Sequence, residues 1–468
     1  MKTFLLFLAS SAMSIAALPS VGPDYRRPAT DAPPAYRGLN PDQTAGQPLP
    51  ASGWWTLFRA PALDRLETQA VGANQDLRAA GARVEQALAA TGVARSAAWP
   101  QAALSASATR TQFSTTAANP FPAALSNDFT VPLTVSWEID LFGRVRRLKE
   151  GAQADAVAAA DLFDSIRLSV AAAVATDYFS LRGLDRESLI LEQTIGLRRR
   201  ELDLVSAQVR NGVASDLDAA RAETELAGAQ ADADAVAARR ESVQDALAVL
   251  VGEDASRFSL TASTDSIELP SIPAGLPSEL LTRRPDIAGA ERTLDAANAR
   301  IGVAKAAFFP SISLTGAAGF DSGETGRLFS ADSRIWSIGP SVYLPIFQGG
   351  RNRANLDRAR AAYQENLANY RSQILTAFRE VQESLAVNQQ LTDQAQAEDR
   401  AVASAKRAAN LAQIRYRAGY VSYLDVVDAQ RTELENERAF AELFAVRLNN
   451  EVALIKALGG GWSVNPGA

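Results

Sequence analysis

The chain has 468 residues, 47% of them hydrophobic, and a formal net charge of −6, so it can bury a sizeable core, and its charge argues against a nucleic-acid partner, which would need a basic face. It contains neither cysteine nor histidine. That excludes disulfides, thiolate nucleophiles, imidazole acid–base chemistry, the usual zinc sites and a lipid-carrying N-terminal Cys, and no GxSxG, SxxK or P-loop spacing points to catalysis or to a cofactor.

Residues 1–17 open a stretch, MKTFLLFLASSAMSIAALPS, with one Lys, an apolar run from Phe4 to Leu8 and small residues before Pro19. This pattern predicts a cleaved export signal with its site near Ala16 or Ala17. No later segment offers about 18 consecutive apolar residues, so any membrane crossing has to be made by strands. Residues 18–60 read as an extended N-terminal segment.

A first structural repeat is predicted over 61–260. Its strand at about 103–113 alternates weakly, with small and hydroxyl residues. The strand at about 129–141 alternates strictly: Phe129, Val131, Leu133, Val135, Trp137, Ile139 and Leu141 share one parity, and Glu138 and Asp140 lie on the other. From Arg144 to about Arg210 there is no proline, and Leu191, Ile195, Leu202, Val205 and Val209 form a seam at spacings of three and four, with Arg198 as its one polar interruption. A helix of that length reaches on the order of 100 Å. The return helix carries Ala222, Leu226, Ala229, Ala233, Val236, Val243, Leu247 and Leu250 on the same rhythm, with Arg240 as its exception. Between them lies a tip at 210–216, RNGVAS. Gly212 can supply the left-handed residue that ends one helix, and Ser215 with Asp218 resembles a capping box that starts the next.

A linker at 261–283 leads to a second repeat at 284–460, followed by a short tail at 461–468. Strands are expected at about 310–320 and 335–347, a seam begins with Ile374, Phe378, Val381 and Leu385, and the tip lies at 417–423. Here RAGYVS places Gly419, Ser422 and Asp425 as their counterparts stand in the first tip. The duplication is legible in pairs at a constant offset: ALAVLVGE with ALIKALGG, and Gly212, Ser215, Leu217 and Asp218 with Gly419, Ser422, Leu424 and Asp425. The fold class is therefore mainly α, a bundle of long antiparallel coiled-coil hairpins whose tips point the same way, plus four β-strands per chain.

Strands of about 9 to 13 residues with one apolar and one polar face suit a tilted membrane crossing. Four strands cannot close a barrel, and an open sheet edge in lipid leaves backbone groups unsatisfied. Several copies must pool their strands, two giving eight and three giving twelve. Glu138 and Asp140 would then face a wet lumen or its rim.

VGPDYRRP at Val21–Pro28, WWTLFRAPALDRL at Trp54–Leu66, SWEIDLFGRVRR at Ser136–Arg147 and LLTRRPDIAGAERTLDAANARIGVAKAAFFPSISLTGAAGF at Leu280–Phe320 resemble the TolC-type outer-membrane factors, in particular the NodT branch that serves RND-type tripartite efflux pumps. The resemblance implies a homotrimer with a twelve-stranded barrel in outer-membrane lipid, a periplasmic helical tunnel and an equatorial belt. It also implies a passive duct for small molecules, docked to a periplasmic adaptor protein and through it to an inner-membrane RND-type pump. Many members carry a lipidated Cys just before VGPDY, whereas Pro19 and Ser20 stand in that region here.

By the same resemblance, Tyr416, Asp425 and Asp428 with Ser215 and Asp216 are the periplasmic gate. Gly212, Val213, Ala214, Gly419, Tyr420 and Val421 are the adaptor-docking tips. Val421 stands where the best-known member has an Arg that ties the helices shut, so the closing network should differ. The competing functions are a type I protein-secretion duct, a periplasmic coiled-coil adaptor and a secreted carboxylate hydrolase. Adaptors usually carry one hairpin inside Gly-rich β domains, while this chain has two matched hairpins.

Overall fold

The computed structural model describes residues 20–30, 32–37, 50, 53–114, 116, 125–275 and 277–463. The expected export signal at 1–17 lies outside them. Seven helices longer than one turn and five strands make up most of the described chain. They are α1 (Pro61–Ala73), α2 (Gln75–Ser96), β1 (Gln101–Leu104), β2 (Ser107–Gln112), β3 (Leu125–Ile139), α3 (Arg144–Arg210), α4 (Asp216–Leu250), α5 (Pro285–Ala306), β4 (Ser311–Ser322), β5 (Arg334–Tyr343), α6 (Arg351–Arg417) and α7 (Tyr423–Ala457).

The repeat is metrically strict. The helices α2 and α5 have 22 residues each, α3 and α6 have 67 each, and α4 and α7 have 35 each. Such equality means that both copies solve the same packing problem with the same number of helical turns. No helix among the described residues is long and apolar enough to cross a membrane.

The chain forms two compact units, each drawing segments from both repeats. The first comprises Met1–Ala29, Arg83–Ala160 and Gly289–Arg371. Its sheet runs β1/β2–β3–β4–β5, antiparallel throughout, with Phe129 opposite Ser322 and Ile139 opposite Ile312. The pieces β1 and β2 pair with β3 in one continuous register, Leu104 to Leu133 and Ser107 to Thr130. They are one predicted strand broken at Ser105, whose N–H reaches the Pro132 carbonyl at 3.1 Å while Pro132 has no N–H to return. Opposite Pro132 on the other side lies Gly319, where a Cβ would come within 2.2 Å of the Val131 carbonyl oxygen, so only glycine lets the strands close there. β3 begins at Leu125 and β5 ends at Tyr343. Beyond Tyr343, Leu344, Pro345 and Ile346 leave the ladder although the alternation continues.

The sheet's apolar parity is open to its surroundings: Trp336 is 79% exposed, and Ile338 and Val342 are also exposed. Among the described residues neither the outer edge of β5 nor that of β1/β2 has a partner strand. In the same unit the N-terminal segment is strapped down. Val21 N–H donates to Phe142, Asn298 to the Pro23 carbonyl, and the buried Arg147 sits between Asp24 at 2.6 Å and Glu150 at 2.8 Å.

The second unit comprises Thr30–Ala82, Asp161–Ala288 and Ser372–Ala468. Its main core gathers Trp54, Phe58, Leu63, Phe179, Leu181, Leu247 and Leu448. A smaller one holds Tyr36, Leu280, Val381 and Leu454. A third, at the hairpin tips, positions the candidate site.

Candidate functional site

Both tips are built by the same two devices. In the first, Gly212 takes φ +70°, its N–H donates to Val209, and Val213 N–H donates to Gln208. In the second, Gly419 takes φ +77°, its N–H donates to Tyr416, and Tyr420 N–H donates to Arg415. These paired bonds close each helix in a Schellman turn, which needs the left-handed residue a glycine supplies at least cost. The following helix starts on a serine. The Asp218 carboxylate accepts from Ser215 N–H at 3.3 Å and Ser215 Oγ at 2.7 Å, and Asp425 accepts from Ser422 N–H at 2.8 Å and Ser422 Oγ at 2.6 Å.

Those bonds set the charge of Asp425. The Ser422 hydroxyl first, then the Ser422 N–H and the nearby Arg415, hold its carboxyl below the ordinary range, so it stays ionised. Asp428 lies one turn further along α7, exposed on the helix surface, with its charge felt by Arg431. Asp216 is likewise exposed, at the first position of α4. Tyr416 faces inward. Its hydroxyl donates to Gln208 at 2.9 Å and its ring lies 5.6 Å from that of Tyr423. Val213 and Tyr420 stand out into solvent, 76% and 78% exposed, and Gly212 and Gly419 are exposed beside them. Ala214 packs on the tip cluster, and Val421 is half-buried.

The tip cluster joins the two hairpins. Val205 on α3, Ala222 on α4, and Tyr423, Val426 and Val427 on α7 are buried together. The Tyr423 hydroxyl has no hydrogen-bond partner among the described residues and, pushed up by burial and then by Glu201 nearby, titrates at about 12.

Further along the hairpins runs a polar layer that seam reasoning passed over. Arg198 on α3 is 2% exposed and donates to Gln430 on α7 at 2.5 Å. It also pairs with Glu225 on α4 at 3.3 Å and faces Glu201 at 3.7 Å. Gln430 in turn donates to Glu201, and Arg431 pairs with Glu225. Burial pushes the Glu201 carboxyl up, against the pull of Gln430 and Arg198. The one available signal was Arg198 itself, a lone charge inside an apolar seam. A second layer repeats the theme: Arg438 on α7 meets Glu187 on α3 at 2.9 Å and Asp232 on α4 at 2.8 Å.

The site thus holds acids on exposed tip surfaces, an apolar knuckle beneath them, and a buried Arg198 that pairs with Glu225 on α4 and hydrogen-bonds Gln430 on α7, with more exposed ion pairs from Arg431 and Arg438 also joining α7 to α3 and α4.

Comparison with known proteins agrees with this architecture. The family described as "Outer membrane efflux protein" matches residues 66–253 and again 276–460, one match per hairpin. The chain is 36% identical over 456 residues to the "Solvent efflux pump outer membrane protein SrpC" of Pseudomonas putida, covering 95% of this chain and 96% of that protein. It is 33% identical over 445 residues to the "Cation efflux system protein CusC" of Escherichia coli O6:H1, with the same coverages. Among solved structures, the Campylobacter jejuni CmeC outer membrane channel superposes with a TM-score of 0.89 at 27% identity, over 95% of this chain and 96% of that one. These likenesses span nearly the whole chain, and all of them are to outer-membrane efflux ducts. The chain belongs to the outer membrane efflux protein family, whose members are efflux exit ducts of the outer membrane with a helical extension into the periplasm.

Proposed function

We propose that three copies of this chain pool their strands into one twelve-stranded barrel and form the passive exit duct of a tripartite pump for small toxic compounds, without catalytic activity. The observation that carries the reading is the sheet in the first compact unit. It has two unpartnered edges and an exposed apolar parity, and lipid tolerates such a sheet only if neighbouring copies close it. Ile346 and Phe347, which follow β5, are 93% and 90% exposed in the single chain and would be covered in an assembly.

The partners in this reading are outer-membrane lipid around the barrel, a periplasmic adaptor at the tips and, through it, an inner-membrane RND-type pump. The exposed pair Val213 and Tyr420, with Gly212, Ala214, Gly419 and Val421, forms the docking face. Triplicated about one axis, Asp425 and Asp428 form two rings of charge at the periplasmic mouth, and Tyr416 with Ser215 and Asp216 completes the gate. Val421 cannot tie helices together as an Arg would. The buried layer around Arg198 takes over that duty within each copy. Planar-bilayer recording of the detergent-extracted protein tests the reading. A duct gives discrete conductance steps, and a protein that never inserts or conducts refutes it.

A further inference from the structure

Three of the chain's six tryptophans sit far from the sheet in sequence and meet around one cavity of about 370 Å³ in the second compact unit. Trp54 is 2% exposed and belongs to the core, where it backs the half-buried Trp55, ring centres 5.8 Å apart at 77°, so Trp55 and Trp462 supply the accessible indole surface. Trp462 closes the cavity from the C-terminal side, its indole N–H donating to Asp164 at 2.9 Å. Asp164 also pairs with Arg167 at 3.3 Å, and the Arg167 side chain is nearly half exposed. Apart from the Trp462–Asp164–Arg167 chain and Thr68, whose hydroxyl donates to the Asp64 carbonyl, the side chains of the wall are apolar, Val71 and Leu168 among them.

An indole face takes up the C–H face of a pyranose ring by dispersion and area burial. A carboxylate and a guanidinium at the rim can accept from and donate to ring hydroxyls and acetamido groups at fixed angles. Flat apolar walls with a few placed polar groups are the chemistry of a small-ligand site, and the volume suits one. A purely apolar ligand would leave the Asp164–Arg167 pair unused at the rim. The family's periplasmic extension passes through a compartment whose structural polymer is a strand of N-acetylated amino sugars. We propose that this cavity binds that glycan and tethers the duct to the cell wall. The proposal rests on the lining of the cavity and on the family's periplasmic placement, and is independent of the gate and docking assignments.

The test is co-sedimentation of the detergent-extracted mature protein with purified sacculi, with N-acetylglucosamine tetrasaccharide as soluble competitor. The expected result is saccharide-competed sedimentation, weakened about tenfold or more by Trp55→Ala and by the surface change Arg167→Ala, with single-channel conductance unchanged. Quenching of intrinsic tryptophan fluorescence by the tetrasaccharide in the unmutated protein gives a readout that survives if Trp55→Ala fails to fold. Sedimentation that neither variant weakens, that salt abolishes and saccharide does not, or that the unmutated protein never shows overturns the proposal. So does quenching by naphthalene with none by saccharide.

Discussion

The Arg198 guanidinium donates to the Gln430 side-chain carbonyl across 2.5 Å, at a point where both residues are buried and belong to different hairpins. Removing the cation leaves Glu201 only its amide donors Gln413 and Gln430 and leaves Glu225 only Arg431, and truncating one partner of a buried ionic group costs up to about 3–5 kcal/mol. Arg198→Ala is therefore expected to lower the thermal midpoint of the extracted protein and to raise its open-channel conductance, because α7 loses one of its ties to α3. Gln430→Leu should show the conductance change with a smaller loss of stability. A double-mutant cycle between the two that returns no coupling energy removes this layer from the closing network.

Asp425 is ionised and Asp428 is exposed beside it on α7. Asp425→Ala combined with Asp428→Ala should raise single-channel conductance and weaken block by divalent cations. Unchanged conductance and block would leave Asp425 as the N3 partner of the Ser422 cap and nothing more.

Gly212 and Gly419 occupy exposed left-handed positions with open space around them. Gly212→Arg or Gly419→Arg strains the backbone by about 1–2 kcal/mol and puts a long charged side chain on the proposed docking face. Assembly should survive while adaptor recovered in a pull-down falls severalfold. Recovery equal to that of the unmutated protein removes the tips from the adaptor interface.

Glu67 on α1 is fully buried, neither of its carboxyl oxygens has a hydrogen-bond partner among the described residues, and burial, reinforced by Asp64, pushes it from 4.5 to about 9. The folded chain keeps this proton until about pH 9, whereas the unfolded chain loses it near 4.5. Unfolding therefore releases a proton within that window, and the contribution to stability, complete below about pH 4.5, is lost as pH rises toward 9. Glu67→Gln should flatten the fall in thermal midpoint between pH 5 and 9. Glu67→Met should in addition stabilise by about 1–3 kcal/mol, by removing orphaned polar atoms. A slope unchanged in Glu67→Gln assigns the pH dependence to other groups. Glu451, raised to about 7 by burial, is the next to examine.

Much of the fold was legible because its constraints are periodic. The 3.5-residue seam named Leu191, Val205, Ala222, Ala229, Val236, Leu247, Ile374 and Val381, all of which are buried. The tips were legible because a left-handed glycine followed by a capping serine leaves few alternatives. The two exceptions to the seams carried the information that pattern alone discards. Arg198 anchors the polar layer near the tips, and Arg240 binds Asp185 at 2.8 Å and the Leu260 carbonyl at 2.6 Å. A lone charge in a seam signals a partner, but the partner's address lies on another helix, so Gln430, Glu225 and Asp185 could not be found from spacing. The break between β1 and β2 was hidden for a similar reason. It is caused by Pro132 on the neighbouring strand and not by any residue of its own.

The central claim is that this sheet is one third of a barrel. Native mass measurement and bilayer recording on a single sample of detergent-extracted mature protein test it most directly. The account predicts a trimer that inserts and passes a weakly cation-selective current. A monomer that stays soluble without detergent and conducts nothing would contradict it.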